Sequence, residues 1–202
     1  MTVKIAVLVS GRGSNLQAII DSIEKGYIKN ATVNVVISNK SSAYALERAK
    51  KHGISAVFLD PEGYDRSEYD REILNVLKMY DTDLLLLAGY FRLLGNEIIE
   101  AYRYRILNIH PSLLPAFKGL HAQKQAFEYG VKVAGCTVHF VDEGLDSGPI
   151  IIQKCVYVLP GDTEETLTDR ILEQEHIIYP EAVRLFVEGK LKVEGRNVIT
   201  FD

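Results

Sequence analysis

The sequence has few cysteines, a small net charge and no long apolar run among its 202 residues. Its two cysteines, Cys136 and Cys155, lie in apolar, strand-like runs and lack CxxC spacing, which argues against a disulfide framework and a zinc site. We therefore expect both thiols to be buried and unreactive. A net charge of −4 provides no broad basic field for nucleic acid, so an anionic ligand must be held by local groups.

No apolar run approaches the ~20 residues that cross a bilayer. The N-terminus enters a strand-like run without the basic start and cleavage site of a signal peptide. We therefore expect a cytoplasmic protein with no nucleic-acid or membrane partner. The length suits one large α/β domain or two small ones, and the first half shows no repeat, low-complexity segment or linker.

Short apolar runs alternate with helical patterns through the first half. After the apolar run Val3–Val9, one helical face carries Leu16, Ile19, Ile20 and Ile23. Such alternation predicts right-handed βαβ units and a Rossmann-like, mostly parallel sheet with helices on both faces. The predicted strands are 3–9, 33–37, 56–59, 84–88 and 106–109, and the helices after the first are 44–51 and 69–79.

The second half adds antiparallel strands to this α/β fold. A long helix is predicted to begin with a capping-box pattern at Asp162 and Glu165 and to end near Val187. Pro180 should kink or split that helix. The other predicted elements are a helix at 123–129, a strand pair at 134–141 and 150–158, and a closing hairpin of 191–193 and 198–201.

A glycine-rich turn, residues 10–15, follows the first strand run with the sequence Ser-Gly-Arg-Gly-Ser-Asn. Free backbone N–H groups and a helix dipole meet at such a turn, which favours an anion and above all phosphate. Ser14 could cap the helix or donate to a phosphate oxygen. The spacing matches neither GxGxxG nor the Walker loop, so neither a dinucleotide nor a nucleoside triphosphate is implied. The alternative is a tight, capped turn without a ligand.

Three polar side chains at the edges of apolar runs suggest acyl transfer. Asn108 and His110 are two residues apart, so they share one face at the carboxyl end of a predicted strand. The carboxylate is one of Asp142, Glu143 and Asp146, which lie in an acidic loop, residues 142–149. An amide and an imidazole can hold an oxyanion, and a carboxylate can fix the charge and tautomer of the imidazole. The alternatives are a histidine that caps a strand end and a solvated acidic turn.

An apolar loop with one arginine, residues 88–94, follows the fourth strand run. It suits the wall of a pocket for a flat heteroaromatic ring, and the alternative is core packing with one surface arginine. His139 precedes the acidic loop, but no ligand spacing accompanies it, so we expect no metal site.

These motifs, in this order, resemble the phosphoribosylglycinamide formyltransferases, a folate-dependent family. The likeness runs from the glycine-rich turn to Glu175 and His176, and segments 108–115 and 142–149 carry most of it. It implies that the amine of 5-phosphoribosylglycinamide attacks the formyl carbon of 10-formyltetrahydrofolate in de novo purine biosynthesis. It implies a folate co-substrate, small-molecule partners, no metal and no covalent intermediate.

The resemblance also implies roles for individual residues. Asn108 and His110 would stabilise the oxyanion, and His110, supported by Asp146, would act as the general acid. We expect a single domain, 1–202, with a nucleotide-binding half, 1–105, and a catalytic and folate-binding half, 106–202, as a monomer or homodimer. The ribonucleotide positions are Gly13, Ser14, Asn15 and Glu175, and the folate positions are Arg66, Phe91, Arg92, Leu93, Leu94, Val141, Asp142, Glu143, Gly144 and Leu145.

Two rival interpretations remain open. Water could replace the amine, which would give a 10-formyltetrahydrofolate hydrolase, although such enzymes usually carry an N-terminal regulatory domain that we do not expect here. A non-catalytic nucleotide-binding module would need only the glycine-rich turn. That second interpretation leaves Asn108, His110 and Asp146 unexplained.

Overall fold

The computed structural model describes residues 1–201, which form two compact units. The first unit is Met1–Asn108, and the second begins at Ile109. The chain has a mixed α/β fold in which most strands are parallel, helices surround the sheet, and antiparallel strands appear in the C-terminal half. The predicted fold class is therefore confirmed. None of the helices in the described part of the chain combines the length and apolar character needed to cross a membrane.

The first unit is built on parallel strands that join in the order β3-β2-β1-β4-β5. The adjacent inner strands β1 and β4 are apolar along almost their whole length because helices bury both faces of a parallel sheet. Helix α4 was not predicted, because its six residues are too few for a helical period to show. The elements are β1 Val3–Val9, α1 Ser14–Glu24, β2 Ala31–Ser38, α2 Tyr44–Lys51, β3 Ser55–Phe58, α3 Arg66–Met79, β4 Leu84–Leu87, α4 Asn96–Ala101 and β5 Ile106–His110.

The register of these strands gathers three chain segments at one edge of the sheet. Leu8 near the end of β1 pairs with Leu87 at the end of β4, and Leu87 pairs with Asn108 on β5. Because parallel strands present their carboxyl ends together, the loops after β1 and β4 leave the sheet beside Asn108.

The second unit combines helices with two strands of eight residues and two of four residues. Strands β6 and β7 pair antiparallel, β9 joins β7 in parallel, and β8 pairs antiparallel with β9. The long helix α6 packs on β6 and β7. The elements are α5 Ala122–Tyr129, β6 Val133–Phe140, β7 Ile150–Tyr157, α6 Glu164–Val187, β8 Leu191–Glu194 and β9 Asn197–Thr200.

The start of α6 differs from the prediction by one residue. The capping box is formed by Thr163 and Thr166, not by Asp162 and Glu165. Asp162 instead accepts two hydrogen bonds from the guanidinium of Arg170 over 2.7 and 2.8 Å. That ion pair and the Leu159 N–H hold the pKa of the Asp162 carboxyl well below its usual range.

Two further expectations about this unit need correction. Of the two outcomes predicted at Pro180, a split is wrong, because the buried residues on either side of it, Tyr179 and Ala182 among them, keep the segment helical, and a kink stays a prediction. Cys155 is exposed on β7, whereas Cys136 is buried on β6 as expected. The neighbouring Val156 is buried, so Cys155, one residue away on the strand, lies on the opposite, solvent-facing side.

Candidate active site

The glycine-rich turn leads directly into α1. Gly13 is the N-cap of this helix and has a left-handed backbone, with φ 70° and ψ 36°. Ser14 is the first helical residue and makes no side-chain cap bond, so of its two predicted roles capping is wrong and donation to a phosphate oxygen stays a prediction. The turn therefore presents backbone N–H groups at the positive end of the α1 dipole, which is a suitable site for an anion.

Helix α2 holds the glycine-rich turn in place. The Ala45 N–H donates to the Gly11 carbonyl over 3.1 Å, and Nε of Arg48 donates to the Arg12 carbonyl over 2.9 Å. A Cβ on Gly13 would lie 2.6 Å from Cβ of Ala45. Both the backbone angle and the close approach therefore require glycine at position 13.

Ser10 connects the glycine-rich turn to the loop after β4. Its N–H donates to the Gly89 carbonyl over 2.9 Å, and its hydroxyl oxygen accepts the Phe91 N–H over 3.0 Å. In residues 91–95, which we call the wall segment, the side chains of Phe91 and Leu93 are 60% and 58% exposed and Leu94 is buried. Two large apolar side chains exposed beside an anion site are typical of a ligand-binding surface.

Of the two arginines predicted for folate binding, Arg92 belongs to the wall segment and Arg66 donates a hydrogen bond to it. Arg66 begins α3, and its guanidinium donates to the Leu94 carbonyl. The guanidinium of Arg92 lies over the ring of Tyr69, with 4.8 Å between Cζ and the ring centroid. The structure thus brings Arg66, Arg92 and Leu94 together within the first unit.

His110, at the end of β5, is 5% exposed, and both of its ring nitrogens face oxygen atoms. Nε2 lies 2.9 Å from the Phe117 carbonyl oxygen, which only accepts, so the imidazole is the donor. Nδ1 lies 3.5 Å from Oδ2 of Asp146. That same oxygen accepts the Gly119 N–H over 2.8 Å, which fixes the carboxylate beside the imidazole.

His139 is a second buried imidazole near the same carboxylate. Its Nδ1 donates to the Phe140 carbonyl over 2.8 Å, and its Nε2 lies 3.8 Å from Oδ1 of Asp146. Burial lowers the pKa of His139 more than this carbonyl and the nearby acid raise it. The pocket therefore favours a neutral His139 beside Asp146.

The acidic loop is shaped by its own hydrogen bonds. Oδ1 of Asp142 accepts the Gly144 N–H over 3.2 Å and also accepts the Ser147 hydroxyl. Glycine is required at Gly148, because a Cβ would collide with the Phe140 carbonyl, whereas a Cβ at Gly144 would displace the Ser147 hydroxyl. Along the predicted folate positions, Val141 and Asp142 are half-buried, and Glu143, Gly144 and Leu145 are exposed.

The remaining ribonucleotide positions are both buried. Asn15 lies in the first turn of α1, and Glu175 lies on α6. Burial, together with the charge of Glu175, raises the pKa of the Cys136 thiol to about 12. Within residues 1–201, no group of three or more histidine, cysteine, aspartate or glutamate side chains is arranged to hold a metal ion.

The sequence analysis missed several groups that shape these sites. Phe117 and Gly119 act through backbone atoms, for which residue type gives no signal. Asp70 could have been found, because it falls on the same helical face as Ile73 and Leu77, at spacings of three and seven residues. A carboxylate on the apolar face of a helix is unusual and indicates a specific partner.

Comparisons with known proteins identify the family of the chain. Residues 3–183 match the sequence model of the formyl transferase family. Phosphoribosylglycinamide formyltransferase from Escherichia coli K12 is 47% identical, over 94% of this chain and 89% of its own length. The crystal structure of glycinamide ribonucleotide transformylase 1 from Symbiobacterium toebii is 55% identical, with a TM-score of 0.97 over 100% of this chain and 95% of that chain.

A more distant structure, a formyltetrahydrofolate deformylase from Pseudomonas syringae, has a TM-score of 0.93 and 25% identity, and the match covers 100% of this chain and 67% of that chain. The chain therefore belongs to the formyl transferase family. Its high-identity relatives within that family are phosphoribosylglycinamide formyltransferases of purine biosynthesis, so the predicted family is confirmed.

Proposed function

We propose that this chain transfers the formyl group of 10-formyltetrahydrofolate to the amine of 5-phosphoribosylglycinamide. The observation that carries the proposal is the close approach of buried His110 and half-buried Asp146. His110 lies at the end of β5, two residues after Asn108. The identity to phosphoribosylglycinamide formyltransferases supports this choice of donor and acceptor.

The proposed reaction is a direct attack of the amine nitrogen on the formyl carbon. The carbonyl oxygen becomes an oxyanion, and the bond to N10 of the folate then breaks, which gives the formylated amide and tetrahydrofolate. The amine loses one proton and the departing nitrogen gains one. No metal or covalent enzyme intermediate enters this sequence.

We assign oxyanion stabilisation to the amide of Asn108 and the imidazole of His110. Support comes from Nε2 of His110, which already donates to a carbonyl oxygen, that of Phe117. A substrate oxygen would replace this carbonyl as the acceptor. Asp146 would stabilise the imidazolium and so make His110 the general acid that protonates the leaving nitrogen.

We assign the phosphate of the acceptor to Gly13, Ser14 and Asn15. The support is the arrangement of backbone N–H groups at the start of α1. The guanidinium of Arg48 holds this turn by donating to the Arg12 carbonyl. Glu175 would bind the ribose hydroxyls, because a carboxylate accepts two hydrogen bonds from a vicinal diol.

We assign the pterin ring of the donor to the wall segment, whose exposed apolar side chains offer surface for a flat ring. Residues 141–145 in the second unit are assigned separately to folate binding through their backbone groups. Arg66 would contribute by holding Leu94, as well as through its charge.

A kinetic comparison of four variants tests the catalytic assignment. His110→Ala and Asp146→Asn should each lower the rate of formyl transfer by about 10²–10⁴, the usual contribution of acid–base help. His52→Ala and Asp81→Asn are the matched controls, since both residues lie in the first unit, where Asp81 pairs with Lys4 at the surface and His52 contacts Glu24 and Gln17. Calorimetry should show that all four still bind 5-phosphoribosylglycinamide. Undiminished transfer in either test variant would reject these roles.

The deformylase likeness makes water the rival acceptor. Release of tetrahydrofolate should depend on added 5-phosphoribosylglycinamide if the proposed acceptor is right. Formate release at the same rate without the ribonucleotide would favour hydrolysis and overturn the proposal.

A further inference from the structure

Asp70 is a buried carboxylate that the proposed chemistry does not use. It lies on α3 and is 4% exposed, and its Oδ2 accepts the N–H of Gly95 over 2.6 Å. A short bond to a charged acceptor is among the stronger hydrogen bonds in proteins. A buried charge is costly unless such partners compensate it, so the hydrogen bond from Gly95 stabilises the buried Asp70 carboxylate.

The compensating charges belong to the wall segment and its supports. Burial raises the pKa of Asp70, whereas the Gly95 N–H and the cations of Arg66 and Arg92 lower it, and Glu97 raises it. The attraction is mutual. The carboxylate therefore helps to hold both guanidinium groups, of which one bonds to the Leu94 carbonyl.

Gly95 is glycine because of this carboxylate. Its φ of −87° and ψ of 170° suit any residue, but an added Cβ would collide with Oδ2 of Asp70. The wall segment is thus held at its beginning by the Ser10 hydroxyl and at its end by Asp70. Between these points, Phe91 and Leu93 remain exposed.

We propose that Asp70 is a positioning residue of the formyl-donor site, which fixes the wall segment through Gly95, Arg66 and Arg92 in the form that receives the pterin ring. This inference rests on the proposed function of the wall segment. Asp70 acts on the donor only through its neighbours and touches no reacting atom. Its loss should therefore weaken donor binding and leave the acceptor site intact.

Asp70→Asn keeps the shape of the side chain and removes its charge. We expect the KM for 10-formyltetrahydrofolate to rise about tenfold, since a hydrogen bond to a charged group is replaced by a neutral one. The KM for 5-phosphoribosylglycinamide should stay within about twofold of wild type. Glu100→Gln, an exposed carboxylate on α4, is the matched control and should change neither value.

A pH series distinguishes positioning from a general structural role. As pH falls through the raised pKa of Asp70, wild type should lose affinity for a folate analogue and approach Asp70→Asn. The affinity of Asp70→Asn for the folate analogue should not change over the same pH range. The unfolding midpoint of Asp70→Asn at neutral pH should be no lower than that of wild type. A carboxyl whose pKa is raised by burial destabilises the folded state when it is ionised, and the variant has no such charge.

Gly95→Ala tests the same contact from the other side. Its Cβ displaces the Asp70 carboxylate, so it should raise the donor KM as Asp70→Asn does, and the double variant should be no worse than either single one. An unchanged donor KM in both single variants, or equal losses for donor and acceptor, would overturn the positioning role. If wild type itself fails to bind the folate analogue, the proposed function fails instead.

Discussion

The guanidinium of Arg196 donates a hydrogen bond to the carbonyl oxygen of Ser147, with 2.7 Å between Nη2 and the oxygen. Arg196 lies in the turn between β8 and β9, and Ser147 follows Asp146 in the acidic loop. The next residue, Asn197, pairs with Ile150, just beyond the end of that loop. The closing hairpin is thus joined to the loop that carries the proposed catalytic carboxylate.

Arg196→Ala should therefore weaken formyl transfer without preventing folding. One exposed hydrogen bond contributes about 0.5–1.5 kcal/mol, which predicts a fall of about two- to tenfold in kcat/KM. Lys192→Ala, on the same hairpin, is the control, because that ammonium pairs with Glu194 on its own strand. Steady-state kinetics with both variants provide the measurement, and equal values for the two would show that the contact with Ser147 has no effect on the loop.

Gly13→Ala should disrupt the predicted phosphate site. Gly26→Ala is a close control, since the φ angles of the two glycines are 70° and 73°, but a Cβ at position 26 meets nothing within 4 Å. Both variants should lose about 1–3 kcal/mol of folding free energy from the left-handed backbone. Only Gly13→Ala should also lose affinity for 5-phosphoribosylglycinamide, because its Cβ pushes against Ala45.

Calorimetry with the ribonucleotide and urea unfolding separate these two effects. A Gly13→Ala protein that binds the ribonucleotide as tightly as Gly26→Ala does would contradict the assignment of the turn to phosphate. If Gly13→Ala and Gly26→Ala both lose binding of the ribonucleotide, the cause is damage to the fold and not the local contact with Ala45.

Hydrophobic periodicity was enough to predict the α/β fold class. The runs that became β1 and β4 are apolar because both faces of a parallel sheet are buried, and this leaves a clear pattern in the sequence. Helix α4 has no such pattern because it is short. The unbroken helix at Pro180 depends on tertiary packing, which local propensity does not include.

The candidate site was predictable to the extent that its residues follow strand geometry. Asn108 and His110 share a strand end, as their spacing predicts. The approach of Asp146 to His110 depends on the path of two loops and on the backbone of Phe117 and Gly119. Residue types do not predict that approach, and only the family resemblance suggested it. The roles of these side chains in catalysis stay predictions.

His139 should make the stability of the protein sensitive to acid. This imidazole is 2% exposed, and burial sets its folded pKa below the unfolded value of about 6.5. The nearby carboxylates of Asp146 and Asp142 raise the pKa, and the neighbouring His110 lowers it, but burial is the largest effect. As pH falls below about 6.5, the unfolded chain therefore binds a proton before the folded one does, and the free energy of unfolding decreases.

The free energy of unfolding should decrease by at most about 1.4 kcal/mol per pH unit for this one proton. Urea unfolding at several pH values between about 7.5 and 5 measures that decrease. His139→Gln should be less stable than wild type at pH 7.5, where it loses a packed ring, and should show a smaller loss on acidification. His52→Gln, at a surface histidine paired with Glu24, is the control and should retain the wild-type loss below pH 6.5 that comes from His139. A His139→Gln curve that runs parallel to wild type down to pH 5 would show that another group is responsible for the acid sensitivity.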